Sequence, residues 1–467
     1  MSHAIVMGGS IAGLCAAAAL AKNFDRVTVL ERDPEPGFEP GKRRGVPQGG
    51  HAHVLLRRGQ EIMDGLFPGA FDALARGGSF RKDLGTAFRW FQFGEWKMRS
   101  ELGVDAWYQS RPFLEHHLRQ SLMRNPKVEL RFEAGIEQPL HARGKVYGVR
   151  MRDGSELAGD LVVDATGRGS RSTTWLRDWG YGAVPEQRVK IGMGYVSGVF
   201  EPAADSEPVR GAVGVYQHAP VSKRLGLAFP LEGGRVMVTL CGYHGDHAPS
   251  DIEGFRAWAG TLLRPDISDV LAGATLIGKL RKSTFPEQIR RCYDRMLRLP
   301  NRYLVLGDAM CCFDPTFGQG MVVSAIQASE LAAFKGFRGR PNTSTRRLQR
   351  RLSRTTVLPF TMTANEAHRW PETTGWTPAL GGVQRAYIGK VYDGASHDPV
   401  IYRALVETMH FLAPPTALFR PRLAWRVLTA QAPEAKPEVR PEVRSPAKPA
   451  AAAFVGELSS GVRQAGP

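Results

Sequence analysis

The apolar positions of the first thirty residues fall into an ordered series. Ala4 to Met7 form a short apolar run, Gly8-Gly9-Ser10 break it, and Ile11 to Lys22 are rich in Ala and Leu. Arg26 to Leu30 (RVTVL) is a second run, ending at Glu31. This order predicts a strand, a turn, a helix and a second strand. Pro34 to Gly50 is too broken for a regular element, and the pattern then predicts a helix over His53 to Phe67. Arg111 to Met123 carries Leu114, Leu118 and Leu122 at the spacing of one helical face. Val128 to Phe132 reads as a strand. Asp153-Gly154 marks a hairpin between Val146–Met151 and Glu156–Ala158. Leu161 to Val163 then runs into Asp164-Ala165-Thr166-Gly167. From about Lys190 to Cys241 the pattern alternates with period two, as in a mostly antiparallel sheet. Helical patterns resume near Asp251, Tyr303 to Leu306 is a buried strand, and Met321 to Ala332 is a helix. Beyond Phe337 the chain is helical and basic. Ala432 to Pro467 is rich in Pro and Ala, with mixed charge, and reads as a disordered tail.

Composition narrows the class. The chain has 467 residues, 43% hydrophobic and 23% charged, which suits a globular protein of two or three structural units. The five cysteines include no CxxC pair, so neither a disulfide framework nor a zinc site is expected, and a reducing cytoplasm fits. His244 and His247 lack the cysteines or carboxylates that would complete a metal site, so a loop is expected there and no metal. No run of about 18 apolar residues offers a membrane-spanning helix. The net charge of +17 is the odd feature. Lys335, Arg338, Arg340, Arg346, Arg347, Arg350, Arg351 and Arg354 carry almost half of it, with no acid between them. Such a block is a solvated helical face, or a dock for an anionic membrane surface or an acidic acyl-carrier protein. No nucleic-acid recognition motif accompanies it.

Two motifs carry chemistry. Gly8-Gly9-Ser10-Ile11-Ala12-Gly13, between strand and helix, is the dinucleotide fingerprint with Ser at its second glycine position. Ser10 is small enough for a close pyrophosphate, and its hydroxyl could donate to it. The helix N-terminus adds free N–H groups. Glu31, 18 residues after Gly13, stands where a carboxylate accepts from ribose hydroxyls. Up to this point a nicotinamide enzyme and a flavin enzyme are both open. The second motif is YLVLGDAMCCFDPTFGQGMVVSAIQAS. There a strand delivers Gly307-Asp308, and Pro315, Gly318 and Gly320 precede a helix. Asp308 can accept from sugar or ribityl hydroxyls, and the Gly318-x-Gly320 turn exposes N–H groups that stabilise negative charge.

An N-terminal fingerprint with a late Gly-Asp motif resembles the flavoprotein monooxygenases of the para-hydroxybenzoate hydroxylase fold. Arg44-Gly-Val-Pro-Gln-Gly-Gly-His51-Ala-His53-Val-Leu-Leu, the Gly307 to Met321 stretch and Ala413-Pro-Pro-Thr-Ala-Leu-Phe-Arg-Pro-Arg resemble, more narrowly, bacterial FAD-dependent olefin epoxidases of polyketide and polyether tailoring. The resemblance covers Ala4 to Leu428. It implies a mixed α/β (α+β) fold with a Rossmann-like, glutathione-reductase-type FAD unit (residues 1–80, 105–180 and 300–335). An antiparallel-sheet substrate unit (81–104 and 181–299), C-terminal helices (336–430) and the tail (431–467) complete it.

The resemblance also implies residue roles. Gly8, Ser10, Ile11, Ala12, Gly13, Glu31 and Arg32 would hold the ADP half of FAD. Arg111 would reach the phosphate or ribityl region, and Asp308 the ribityl and pyrophosphate. Pro315, Gly318, Gln319, Gly320 and Met321 would line the flavin ring, with Arg44, His51 and His53 near it. His51 and His53 could touch the flavin or give a proton to a peroxide; polar contacts at a helix start would explain them as well. Phe88, Trp90, Phe91, Phe93, Tyr195 and Phe229 suit a lipophilic pocket, though core packing explains such aromatics equally. Cys311-Cys312 reads as two small core thiols or a redox pair. The family's middle Asp-Gly motif is here Asp164-Ala-Thr-Gly167-Arg168, a departure that bears on the NADPH contact.

The implied activity is that of a monooxygenase using NAD(P)H, O₂ and a flavin C4a-hydroperoxide to epoxidise an alkene of a polyketide or terpenoid. Aromatic hydroxylation is the enzymic alternative, followed by FAD-dependent reduction. A halogenase fits less well, because the Trp-x-Trp-x-Ile-Pro motif is absent. A basic binding protein with a relic fingerprint is the non-enzymic alternative. Cytoplasmic placement, with a membrane-peripheral dock through Lys335–Arg354, goes with this expectation. Oligomeric state is left open.

Overall fold

The computed structural model describes residues 1–36, 47–203, 211–334, 336 and 345–430. Arg44, Lys335, Arg338, Arg340 and the stretch 431–467 lie outside the described residues.

The N-terminal pattern folds as expected into β1 (His3–Met7), α1 (Ile11–Leu20) and β2 (Arg26–Leu30). α2 (Arg111–Met123) leads to β3 (Val128–Arg131), and β4 (Leu161–Asp164) and β5 (Tyr303–Val305) follow before α3 (Gln319–Ala333). The five strands make one parallel sheet in the order β5-β4-β1-β2-β3. A parallel sheet needs cover on both faces, and Ala4 to Met7 are fully buried. α1 supplies part of that cover through an almost all-Ala surface, and α3 packs against it. Gly13 sets how closely α1 approaches: a Cβ there would lie 1.8 Å from the Gly8 carbonyl oxygen. β1 pairs with β2 on one side and β4 on the other, so the strand order reverses beside β1, with β2 and β3 on one side and β4 and β5 on the other. Ligands bind at that kind of crevice.

A second, mostly antiparallel sheet runs in the order Cys311–Cys312, Thr275–Arg291, Glu186–Glu201, Val236–Gly242, Arg224–Pro230, Ala212–Val215, Phe88–Gln92, Glu95–Trp96. The Ala212–Val215 and Phe88–Gln92 pair is parallel. Period-two alternation sorts its side chains onto two faces. Val196, Phe200, Val238 and Leu240 pack under the helices Ile252–Ala259 and Asp266–Leu271, whereas Tyr195, Leu227, Phe229 and Cys241 join the main core. A small sheet pairs Phe80–Asp83 with Asp105–Tyr108.

The C-terminal helices are α4 (Thr345–Arg354), α5 (Val357–Ala367), α6 (Gly381–Gly394), α7 (Pro399–Met409) and α8 (Pro421–Thr429). α4 explains the described part of the basic block. Leu348 and Leu352 are fully buried, while Arg347, Arg351 and Arg354 face outward. Gln349 grips the edge of the parallel sheet: its Oε1 accepts from the Val305 N–H at 2.8 Å, and its Nε2 donates to the Val305 carbonyl at 3.0 Å. Arg347, Arg351 and Arg354 are thus the outer face of a docked helix, whereas Arg346 and Arg350 are half-buried.

Two elements depart from the sequence expectation. The helix expected from His53 begins at Arg57, and residues 51–56 run without regular structure. The Ala52 N–H donates to Thr239 Oγ1 at 3.1 Å and His51 is bonded to Ser197, so the second sheet holds this segment and the helix cannot start earlier. Ile136–Ala142 is a third strand beside the expected hairpin, in a stretch where Pro139 obscures the alternation. The described residues contain no helix long and apolar enough to cross a membrane. All five cysteines are free and buried.

Candidate functional site

A cleft of about 570 Å³ lies over the carboxyl ends of the parallel strands, within the usual size of a small-molecule site, about 300–1,000 Å³. Four strand ends build one wall: Gly8 to Ala12 after β1, Glu31 and Arg32 after β2, Ala165 to Gly169 after β4, and Asp308 after β5. Gly8 sits at φ +99°, and a Cβ would come 2.6 Å from the Ala165 carbonyl oxygen, so only glycine fits this turn. Glu31 pins the turn from below, its Oε2 accepting from the Gly9 N–H at 2.9 Å and its Oε1 from the Asp33 N–H at 3.0 Å. The second sheet supplies the opposite wall through Tyr195, Thr239, Cys241, Ser283 and Phe285.

A hydrogen-bonded chain crosses the mouth of α1. Arg119 donates to Glu115 at 2.7 Å, Ser10 donates its hydroxyl to Glu115 at 3.1 Å, and Arg111 donates to Ser10 Oγ at 3.2 Å. Ser10 therefore lines the cleft with its hydroxyl proton committed to Glu115 rather than turned toward a phosphate. Arg111 also donates to His53 Nε2 at 3.3 Å, and His53 Nδ1 donates to the His51 carbonyl at 2.7 Å. A guanidinium can only donate, so Nε2 must be the acceptor and Nδ1 must carry the proton. Burial and the Arg111 charge push the His53 pKa down to about 3. His53 is therefore a neutral prop for Arg111, which is the polar-contact reading of this histidine. His51 sits edge-on to Tyr195 at 4.4 Å, with Nδ1 2.8 Å from Ser197 Oγ.

Pro315 to Met321 close the far end. Gly318, at φ +65°, starts α3, and Gly318, Gln319, Gly320, Met321 and Ser324 all line the cleft. Asp314 organises the turn, its Oδ1 accepting from the N–H and hydroxyl of Thr316 at 2.9 and 2.7 Å. Asp308 Oδ1 lies 3.6 Å from where a Gly320 Cβ would be. Burial raises the Asp308 pKa above the ordinary carboxylate range, while Arg111, Arg168 and Arg291 oppose the shift.

These residues fit a dinucleotide such as FAD. Arg111 Nε and Gln319 Oε1 are buried polar atoms on the cleft wall with no partner, and buried orphans of this kind call for a ligand. The N-termini of α1 and α3 both open on the cleft with no acid in their first turns. Their free N–H groups suit phosphate or an anionic ring.

An apolar chamber of about 90 Å³ adjoins this far end, and both spaces are lined by His53, Val54, Leu227 and Pro315 to Gly318 except Phe317, which faces the chamber alone. Phe88, Trp90 and Phe229 line it with Leu84, Trp107, Val406 and Met409. Three expected pocket residues lie outside the chamber. Phe91 is one residue out of phase with Trp90, so alternation turns it to the opposite face of the sheet, against Trp96 at 5.4 Å. Phe93, at φ +56°, stacks on Tyr392 at 4.5 Å and lines a separate space of about 40 Å³. Tyr195 faces the main cleft rather than the chamber.

Other expected residues find structural uses. Asp164 is fully buried and accepts from the Thr166 N–H and hydroxyl at 2.9 and 2.6 Å, from Ser170 at 2.6 Å, and from Ser172. It shapes the Ala-Thr-Gly turn from within. Burial keeps the Cys311 and Cys312 thiols well above their ordinary pKa. Thiolates are the reactive form, so both are inert buried thiols at rest, and of the two only Cys312 lines the cleft. Sequence reasoning missed Glu115, Arg119 and Arg291, and named Arg168 only as the end of the Asp164-Ala-Thr-Gly167 motif. Glu115 and Arg119, four apart on α2, were legible as a helical ion pair; Arg291 carried no local signal.

Residues 6–62 match the family of NAD(P)-binding Rossmann-like domains. The chain is 33% identical over 431 residues to protein Rv3254 of Mycobacterium tuberculosis, covering 85% of this chain and 87% of that protein. Among solved structures, it resembles PqsL, a probable FAD-dependent monooxygenase from Pseudomonas aeruginosa (TM-score 0.57, 19% identity, 79% of this chain and 94% of that one). It also resembles PyrE3, a Diels-Alderase of pyrroindomycin biosynthesis (TM-score 0.59, 18% identity, 88% of this chain and 80% of that one).

Proposed function

We propose, from the premise that this chain belongs to the family of protein Rv3254 and has the fold of FAD-dependent monooxygenases, that it is an FAD-dependent oxygenase of a lipophilic natural product. One observation carries this reading: an aromatic and aliphatic chamber opens where the Gly318 turn closes the dinucleotide cleft. Bound FAD, reduced by NAD(P)H, would supply the activation of O₂, one oxygen atom of which would go to an electron-rich carbon while the other left as water. We assign that carbon to an alkene of a polyketide or terpenoid, with an epoxide as product.

The chain's own residues would hold, orient and keep dry. The α1 N-terminus and Arg111 would neutralise the pyrophosphate, and Asp308 would accept from ribityl hydroxyls. His53 and Ser10 would keep Arg111 in place. The N–H groups of Gln319 and Gly320 would face the ring end. Phe88, Trp90 and Phe229 would exclude water and hold the apolar reacting end of the substrate, since a chamber of about 90 Å³ does not take a whole polyketide or terpenoid. Oxygen transfer to an alkene needs no protein nucleophile. A fold shared with a Diels-Alderase does not choose the reaction, so the choice rests on the chamber beside the cleft.

The test is direct. The purified protein should be yellow, and anaerobic reduction followed by ¹⁸O₂ and candidate olefins should give a product carrying one labelled oxygen. A colourless protein that takes up no FAD refutes the flavoenzyme. Product without label refutes oxygenation, and a phenol in place of an epoxide assigns aromatic hydroxylation.

A further inference from the structure

The C-terminal helices present an apolar surface that the proposed chemistry does not use. Nine of the fifteen large apolar side chains exposed among the described residues lie between Val357 and Leu428. α8 concentrates the feature. Trp425 is 71% exposed and Leu428 58% exposed, three residues apart on one helical face, while Val427 alone is buried. Phe419, 48% exposed, precedes the helix and stacks on Tyr387 of α6 at 4.8 Å. One turn before Tyr387, Val383 is 72% exposed. Isolated exposed apolar residues are ordinary, but a Trp-led cluster on adjoining elements marks an interaction surface.

The charges beside it identify the partner. Between Glu407 and Glu434 there is no acid, and Arg420, Arg422 and Arg426 are the charged residues of that stretch. Arg420 and Arg422 face solvent, whereas Arg426 pairs with Asp398. A short helix with Trp and Leu on one face and arginines beside them has the make-up of a helix that lies in the headgroup layer of an anionic bilayer. Position supports this too. α8 packs against α7, and α7 and the residue after it contribute Val406, Met409 and His410 to the wall of the apolar chamber. A bilayer held at α8 would stand beside the helix that closes the chamber.

We propose that α8, with Trp425 and Leu428 at its centre and Arg420 and Arg422 at its rim, docks the protein on an anionic phospholipid surface. This surface is separate from the Lys335–Arg354 block, for which the sequence offers a dock as one alternative to a solvated face.

Sedimentation of the full chain with vesicles tests this without turnover or bound cofactor, so it is independent of the oxygenase reading. Vesicles of phosphatidylcholine and phosphatidylglycerol (3:1) should bind the protein at least tenfold more tightly than phosphatidylcholine alone, and the preference should shrink with added salt. Trp425→Ala with Leu428→Ala should weaken binding at least tenfold, with an unchanged melting temperature. Should that variant not fold, Arg420→Gln with Arg422→Gln should reduce the preference for phosphatidylglycerol by a similar factor. Several results overturn the proposal: no binding to phosphatidylglycerol vesicles by the full chain, as when the tail or another segment covers α8; a folded double variant that binds like wild type; or a dimer, seen by sedimentation velocity, that the double variant dissociates.

Discussion

Asp308 and His410 show how single residues in this fold carry charge chemistry. Asp308 is held among Arg111, Arg168 and Arg291 at the edge of the cleft, and burial lifts its pKa. A ligand hydroxyl would satisfy it, so Asp308→Ala should lower FAD retention through gel filtration at least tenfold, and Asp308→Asn less. Retention equal to wild type would reject the assignment. His410 is 5% exposed, and its Nδ1 accepts from the Arg57 N–H at 3.2 Å. Protonation there would break that bond, and burial lowers its pKa from 6.5 to about 4. The sign follows: between those values the unfolded chain binds more protons than the folded one, so stability rises with pH. It is fully present above pH 6.5 and is lost as pH falls toward 4, by up to about 1.4 kcal/mol per pH unit. His410→Leu should flatten that part of the dependence, measured by urea unfolding at pH 7.5 and 5.5. An unchanged slope would show that other groups set it.

The strand Phe88–Gln92 separates packing from binding within one element. Trp90 faces the chamber and Phe91 the opposite core, because neighbours on a strand point to opposite sides. Phe91→Ala should cost about 3–5 kcal/mol of stability and leave KM for the lipophilic substrate nearly unchanged in the folded fraction. Trp90→Leu should cost less stability and raise KM severalfold. The same change of KM in both variants would contradict the alternation. This strand also shows where the sequence was legible and where it was not. Periodicity placed β1, α1, β2 and α2 within a residue or two, helped by clear turn residues such as Gly8, and Asp153-Gly154 marked the Lys145–Met151 and Glu156–Ala158 hairpin in the same way. The Gly-rich stretches that bound the cleft were legible for the same reason. The face that Phe91 and Phe93 would take was not, since an aromatic cluster gives no phase until its partner strands are fixed. The start of the Arg57 helix was hidden likewise, because Thr239 and Ser197, almost 200 and 150 residues away, decide it.

For the whole molecule, the cleft is the seam between the two sheets. The parallel strands deliver Gly8, Glu31, Ala165 and Asp308 to one wall, and the second sheet delivers Tyr195, Thr239, Cys241 and Phe285 to the other. A dinucleotide bound there touches both, so its binding energy also opposes their separation. This has a measurable size. Ligand at 100 times Kd stabilises the folded state by about 2.7 kcal/mol. With an unfolding entropy near 2.1 cal/mol/K per residue, a chain of 467 residues has about 1 kcal/mol/K, so FAD at that excess should raise the melting temperature by about 3 °C. AMP, which would reach the α1 end alone, should give a smaller shift at the same multiple of its own Kd if unfolding starts by parting the sheets, because it leaves the second wall unheld. Equal shifts for FAD and AMP at matched saturation are what simple linkage gives for one cooperative unit. Differential scanning calorimetry distinguishes the two: a single transition moved equally by both ligands would show that the seam does not part first, whereas a low-temperature shoulder that FAD removes and AMP does not would locate the first opening at the cleft.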